Sequence, residues 1–298
     1  MRVANAPCSW GVLEFNMEGK AASYAQVLDE MKETGYSGTE LGDWGFMPTE
    51  PKKLRKELQT RELSLIAAFV PIAFAEKEKH AAGEATALRT ARLLAEVADN
   101  ETFIVLADDN GKIALRTKYA GRIKPEHGLS TKQWQVFVSG LHCIADAVFT
   151  KTGLRSVFHH HCAGYVETPD EIETLMHLTD EELIGLCLDT GHYRFGGGAP
   201  TSAIKRYSNR IWHVHFKDCH PEVMRQSKTE EWDYFESLRH GVFCELGKGD
   251  VDFPSVVAAL QNCGYDGWIV LEQDVLPGMG HPKESARRNR AYLRSIGL

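Results

Sequence analysis

The chain has no C-x-x-C pair among its seven cysteines, no G-x-G-x-x-G loop and no apolar run of bilayer length. Each absence excludes something. An odd number of scattered cysteines fits reduced thiols rather than a disulfide framework or a zinc ribbon. A doubly wound dinucleotide-binding sheet usually carries a glycine-rich phosphate loop after its first strand. Here "NAPCSWG" stands in that place, and the triplet Gly196, Gly197, Gly198 has the wrong spacing. A membrane-spanning helix needs about 20 apolar residues. Positive charge is also short, with 34 Lys and Arg against 41 Asp and Glu, a net charge of -7. That balance argues against nucleic acid and anionic membrane as partners. The opening "MRVANAPCSW" has no apolar signal-peptide core, so a cytoplasmic location is the expectation.

What is present is a rhythm. A short apolar run, a loop and an amphipathic stretch recur along the 298 residues. The runs are "VANA" from Val3, "SGTELG" from Ser37, "LSLIAAFV" from Leu63, "TFIVLA" from Thr102, "SVFHHH" from Ser156, "IGLCLD" from Ile184, "IWHVHF" from Ile211 and "WIVLE" from Trp268. Helical patterns follow: Tyr24 to Gly35, from Pro51, Glu76 to Asp99, Thr131 to Lys151, after Thr168, Thr201 to Tyr207, Phe253 to Cys263 and Pro282 to Ser295. Thr168 suits an N-cap with Pro169 at the first helical position. Long loops precede the helices at Thr131 and Phe253. Continuous apolar strands alternating with helices predict a (β/α)₈ TIM barrel, residues 1–298 forming one domain, in preference to an open doubly wound sheet.

Barrel enzymes work at the C-terminal ends of their strands. Those ends carry Glu40, His159 to His161, Asp189 with His192 behind it, His213 and His215 with Lys217 and Asp218 behind them, and Glu272 followed by Asp274. Strand side chains alternate. His159 and His161 therefore share one face and His160 the other, while His213, His215 and Lys217 share a face. Singly, each residue has an ordinary structural reading, and His160 and His213 keep theirs. Together, His159, His161, Asp189, His215 and Glu272 have the mixed imidazole and carboxylate chemistry that suits Mn²⁺, Co²⁺, Zn²⁺ or Fe²⁺. Glu40, His161, His192 and Lys217 are candidates for proton transfer. Trp10, Trp44 and Phe46 read either as core or as an apolar wall for a sugar-like ring, and Asp218 as a substrate contact or a loop ion pair.

At these residues the sequence resembles a known family. "NAPCSWG", "GYSGTELGDWGFMPTEP", "HHHCAGYVETPDEIETLM", "LDTGHYRFGGGAP", "IWHVHFKD" and "GKGDVDF" are similar to the inosose (2-keto-myo-inositol) dehydratases, within the xylose isomerase-like barrel superfamily of sugar isomerases and epimerases. The resemblance spans nearly the whole chain. It implies a divalent metal, Mn²⁺ or Co²⁺ before Zn²⁺, Fe²⁺ or Mg²⁺, held by Glu, Asp, His and Glu from strands five to eight. Asp189, His215 and Glu272 match the last three positions. The first falls at His159, where this chain has no carboxylate. Either His159 is itself a ligand, or fewer protein groups hold the ion. His161 aligns with a substrate-contact position, and His192 resembles a histidine near metal or substrate.

The resemblance implies dehydration of scyllo-inosose through an enediolate. A sugar or keto-polyol isomerase or epimerase would use the same intermediate. A multi-zinc nuclease of the superfamily fits poorly with the net charge, and a non-catalytic barrel fits poorly with so many metal-type residues at strand ends. The partners implied are a small cyclic polyol ketone or ketose and, by analogy with such barrels, further copies of the chain in a homo-oligomer.

Overall fold

The computed structural model describes residues 1–12, 22–98, 101–274, 276 and 280–298. Eight parallel strands close into a barrel: β1 (Arg2–Asn5), β2 (Gly38–Glu40), β3 (Ser64–Pro71), β4 (Phe103–Ala107), β5 (Arg155–His159), β6 (Ile184–Asp189), β7 (Ile211–Phe216) and, after an antiparallel ribbon of β8 (Asp218–Cys219) and β9 (Phe243–Cys244), β10 (Trp268–Leu271). Around the barrel they follow chain order, and β10 pairs with β1 to close it. The expected strand–helix alternation is therefore the observed one.

Alternation along each strand sorts the side chains. Ile104, Leu106, Phe158, Leu186, Leu188, Val214 and Phe216 pack with the surrounding helices in one apolar layer. Phe103, Val105, Val157 and Cys187 form a separate cluster with Ala67, which fills the barrel interior. Burial of each large apolar side chain stabilises by roughly 2 kcal/mol. Two such layers can support a polar upper end whose own groups are costly to desolvate.

Local signals explain the helix ends. Ser130 with Gln133 and Thr168 with Glu171 make reciprocal capping boxes, each satisfying backbone N–H groups that the first turn leaves unpaired. Gly35 ends the helix Tyr24–Thr34 at φ 92°, a left-handed conformation that costs glycine little. The alanine-rich helix begins at His80, after a 3₁₀ turn at Lys77–Lys79, and runs to Val97. Asp99, its expected end, lies outside the described residues. Among the described residues no helix is long and apolar enough to cross a membrane.

The two segments read as long loops contain structure of their own. The one after β4 holds a helix at Ala114–Tyr119, and the one after β7 holds helices at Pro221–Thr229 and Tyr234–Arg239. These helices are too short for a periodic pattern to stand out from loop composition. Arg116 on the first of them is fully buried. Its guanidinium forks onto Glu171 at 2.7 and 2.8 Å and donates to the Gly164 carbonyl at 2.7 Å. That ties the β4 segment to the loop after β5. Removing one partner of a buried pair leaves the other charge uncompensated. Arg116→Met is expected to lower unfolding free energy by about 3 kcal/mol, read from urea denaturation; an unchanged midpoint would show that the pair contributes nothing.

Candidate active site

The strand ends of β2, β5, β6, β7 and β10 converge on an open cavity lined by Glu40, His159, His161, Lys217, Glu272 and Asp274 among others. Phe69 on β3 supplies part of its apolar wall, and the His159 ring stands edge-on to it at 5.9 Å. One donor atom each from His159, Asp189, His215 and Glu272 lies within 4.8 Å of the others. His215 Nδ1 is 3.3 Å from Glu272 Oε1 and 4.0 Å from Asp189 Oδ2, and His159 Nε2 is 3.7 Å from Asp189 Oδ2.

Several of these atoms lack a hydrogen bond although they are buried: both ring nitrogens of His159, Asp189 Oδ2 and His215 Nδ1. Native interiors rarely leave polar atoms unpaired, because each costs about 1–3 kcal/mol. A convergent set of unpaired nitrogen and oxygen lone pairs is what a divalent cation would satisfy, so the residues present fit a metal ion.

The neighbours orient this set. Glu40 Oε1 accepts from His213 Nε2 at 2.8 Å and from His215 Nε2 at 2.9 Å. With Nε2–H committed to Glu40, the other His215 nitrogen, Nδ1, is the one turned to the cluster. Asp189 Oδ1 accepts the His192 amide at 2.7 Å, which leaves Oδ2 directed inward. Gly191 belongs to the same turn. A Cβ there would meet the Lys217 side chain at 2.6 Å, so glycine lets the lysine stem pass.

Lys217 Nζ is 3.2 Å from Glu272 Oε2, 3.3 Å from Asp274 Oδ1 and 3.1 Å from His192 Nε2. Burial would favour the neutral amine, but Asp274, Glu272 and Asp189 outweigh it and hold Lys217 as an ammonium. His161 and His192 go the other way. Burial, reinforced by nearby cationic groups, holds both imidazoles well below the ordinary histidine range. His161 Nδ1 lies 2.5 Å from the Cys162 carbonyl, so Nδ1 carries the proton and Nε2 the lone pair.

His161 leads into a strained loop, in which Ala163 and Val166 adopt left-handed φ values of 68° and 65°. Such conformations persist where surroundings over-determine them. Here Glu167 accepts the amides of Gly121 and Ala163, and Asp108 accepts that of Tyr165.

The structure thus brings His159, His161, Asp189, His192, His215, Lys217, Glu272 and Glu40 together. It corrects three expectations about substrate contacts. Trp10 is 2% exposed in the core and donates to Glu30 at 2.7 Å. Trp44 lies at the surface, its ring covered by the Arg89 guanidinium at 4.2 Å. Asp218 turns away from the cavity; its carboxylate gathers the amides of Cys219, Gly247, Gly249 and Val251 at 2.8 to 3.1 Å. Four backbone donors make it a loop staple. Two residues belong to the site beyond those expected. His213 shares Glu40, and Asp274 holds Lys217. Each lies two positions from an expected ligand, and that spacing is the signal that marks them.

Comparison with known proteins identifies the family. Residues 28–296 match the model of the xylose isomerase-like TIM barrel. An inosose dehydratase of Geobacillus kaustophilus is 31% identical over 294 residues, covering 98% of this chain and 93% of that one. The chain belongs to the inosose dehydratase branch of the xylose isomerase-like TIM barrel family. Another inosose dehydratase, from Lacticaseibacillus casei, is 31% identical over 97% of this chain and 94% of its own. Among solved structures, a probable 3-DHS dehydratase from Bacillus anthracis superposes with TM-score 0.73 at 15% identity, covering 99% of each chain. The E. coli 3-keto-D-glucoside 4-epimerase does so with TM-score 0.72 at 17% identity, also over 99% of each. Within this family fold, His160 lies just past the end of β5, its ring stacked parallel to that of His159 at 5.9 Å. Its Nε2 accepts the Asp189 amide at 3.2 Å, and its ring meets Tyr193 edge-on.

Burial pushes His160 down to about 3. Between that value and the ordinary 6.5 only the unfolded chain takes up the proton, so His160 makes the fold lose stability as pH falls through this window. His160→Ala is expected to be less stable than the parent at pH 7 by about 2 kcal/mol, through an orphaned amide and a cavity. By pH 5 the gap should shrink by about 2 kcal/mol, because the variant has no such proton uptake. Urea denaturation at the two pH values checks this; a gap independent of pH would mean that His160 is protonated in the fold.

Proposed function

We propose that this chain is a metal-dependent hydro-lyase that removes water from a cyclic keto-polyol, scyllo-inosose, to give a trihydroxycyclohexane dione. The observation that carries this reading is the cluster of donor atoms of His159, Asp189, His215 and Glu272, those of the first three residues unpaired, at the edge of a cavity that also presents an ammonium and a neutral imidazole. The names of the family relatives support the same reaction. A divalent ion on those four residues, Mn²⁺ or Co²⁺ by the nitrogen and oxygen donor set, would supply Lewis acidity toward a ketone oxygen and the enediolate charge that develops there.

The remaining steps fall to the side chains. His161, a neutral ring lining the cavity, takes the proton α to the ketone. Lys217, held as an ammonium by Asp274 and Glu272, gives a proton to the departing β-hydroxyl, which leaves as water. His192 and Asp274 aim the ammonium. Glu40, engaged by two imidazoles, orients His215 rather than moving protons. His159 contributes no negative charge, so the ion site is one unit more positive than a set with a carboxylate there. Such a site holds its cation less tightly by charge and polarises a ketone more strongly.

Loss of scyllo-inosose, followed as dione formation with Mn²⁺ or Co²⁺ added, tests the reading. Asp189→Ala and Glu272→Ala are each expected to abolish turnover in a folded chain and to abolish Mn²⁺ binding by calorimetry. Full activity in either variant would remove that residue from the site. His161→Ala and Lys217→Met are expected to lower kcat by about 10²–10⁴-fold while the metal stays bound, whereas His159→Ala lowers metal occupancy. In D₂O, hydrogen exchange without dehydration would replace the lyase reading with that of an epimerase.

A further inference from the structure

Asp189 is not alone among metal-type side chains that β6 turns inward. Two residues earlier stands Cys187, about 6.6 Å deeper along the strand. It is fully buried and packs with Phe103, Val105 and Val157. β5 and β6 place His159 and Cys187 in register. One donor atom each from His159, Cys187 and His215 lies within 4.8 Å of the others. The independent sign of a ligand is His159 itself. It is 2% exposed, and neither of its ring nitrogens has a hydrogen-bond partner. An ion on the Asp189 and Glu272 side can use one of those nitrogens and leaves the other unexplained.

We propose that His159, Cys187 and His215 form a second, deeper cation position that takes a thiophilic divalent ion, Cd²⁺ or Zn²⁺ in class. Both positions need His215 Nδ1, because its Nε2 is engaged by Glu40, so one ion excludes the other. Two nitrogens and a sulfur favour soft and borderline ions, while Mn²⁺ and Mg²⁺ prefer the carboxylates above. On ligation the Cys187 S–H proton passes to solvent and a metal–sulfur bond forms; nothing is oxidised or reduced. Donors around a tetrahedral ion sit roughly 3.5 Å apart. The trio, whose donor atoms lie within 4.8 Å of one another, reaches that spacing by a closure of at most about 1.3 Å through side-chain rotation. An ion at this depth stands behind the substrate cavity and inhibits. The inference needs only these three side chains and does not depend on the dehydratase reading.

The experiment is titration of the metal-stripped full-length protein with Co²⁺ and with Cd²⁺. The wild type should show a thiolate-to-cobalt charge-transfer band in the near ultraviolet that saturates at one equivalent. Cys187→Ser and Cys187→Ala, checked for folding by circular dichroism, should lose that band and bind Cd²⁺ about a hundredfold more weakly. Asp189→Asn should keep the band while losing Mn²⁺ affinity. A band of wild-type strength in both Cys187 variants, or unchanged Cd²⁺ affinity, overturns the deeper position. A Cys187-dependent band in a wild type that binds no Mn²⁺ supports it and instead removes the four-residue site.

Discussion

One carboxylate oxygen organises the upper end of this barrel. Glu40 Oε1 receives N–H groups from His213 and His215, residues 173 and 175 positions away in the chain. The contact spans the barrel from β2 to β7, and barrel closure alone brings those strands within reach. It also decides chemistry. A neutral imidazole has one donor nitrogen and one acceptor. Engaging Nε2 as the donor gives His215 a defined tautomer, with Nδ1 turned toward Asp189 and Glu272. Burial would raise the Glu40 carboxyl, but the two histidines outweigh it and bring it down to about 2. The anion that holds the imidazoles is therefore permanent across the physiological range.

The rest of the site balances charge around that anchor. Asp189, Glu272 and Asp274 surround the Lys217 ammonium, while four neighbouring histidines, 160, 161, 192 and 213, are pushed toward neutrality by burial. Acid and base functions can thus coexist in one cavity at one pH, because their surroundings displace them in opposite directions. A lysine held charged by carboxylates donates; an imidazole held neutral by burial accepts. His159 fits this balance. A third carboxylate beside Asp189 and Glu272 would add repulsion that an imidazole avoids.

The loops hold these groups in place by satisfying backbone amides with buried carboxylates. Glu167, Asp108 and Asp218 each collect main-chain N–H groups, and Arg116 bridges the segments after β4 and β5. Carboxylates near the cavity thus serve two purposes, and residue type alone does not separate them. Asp218 lies next to Lys217, yet it staples the loop that follows β9. Asp274, one strand away, holds the ammonium.

The sequence by itself determined the periodic features. Continuous apolar runs of strand length, alternating with capped amphipathic helices, specify a parallel closed sheet because buried strands and surrounding helices each impose their own spacing. The two-residue period likewise groups His213 with His215. Tertiary structure decided everything that depends on which strand ends meet. That Glu40 would receive two imidazoles, that Trp10 would sink into the core against Glu30, and that His159, Cys187 and His215 would come together are outcomes of the tertiary fold. Side chains on different strands acquire partners only when the barrel closes, and no local pattern encodes a contact between residues more than a hundred positions apart.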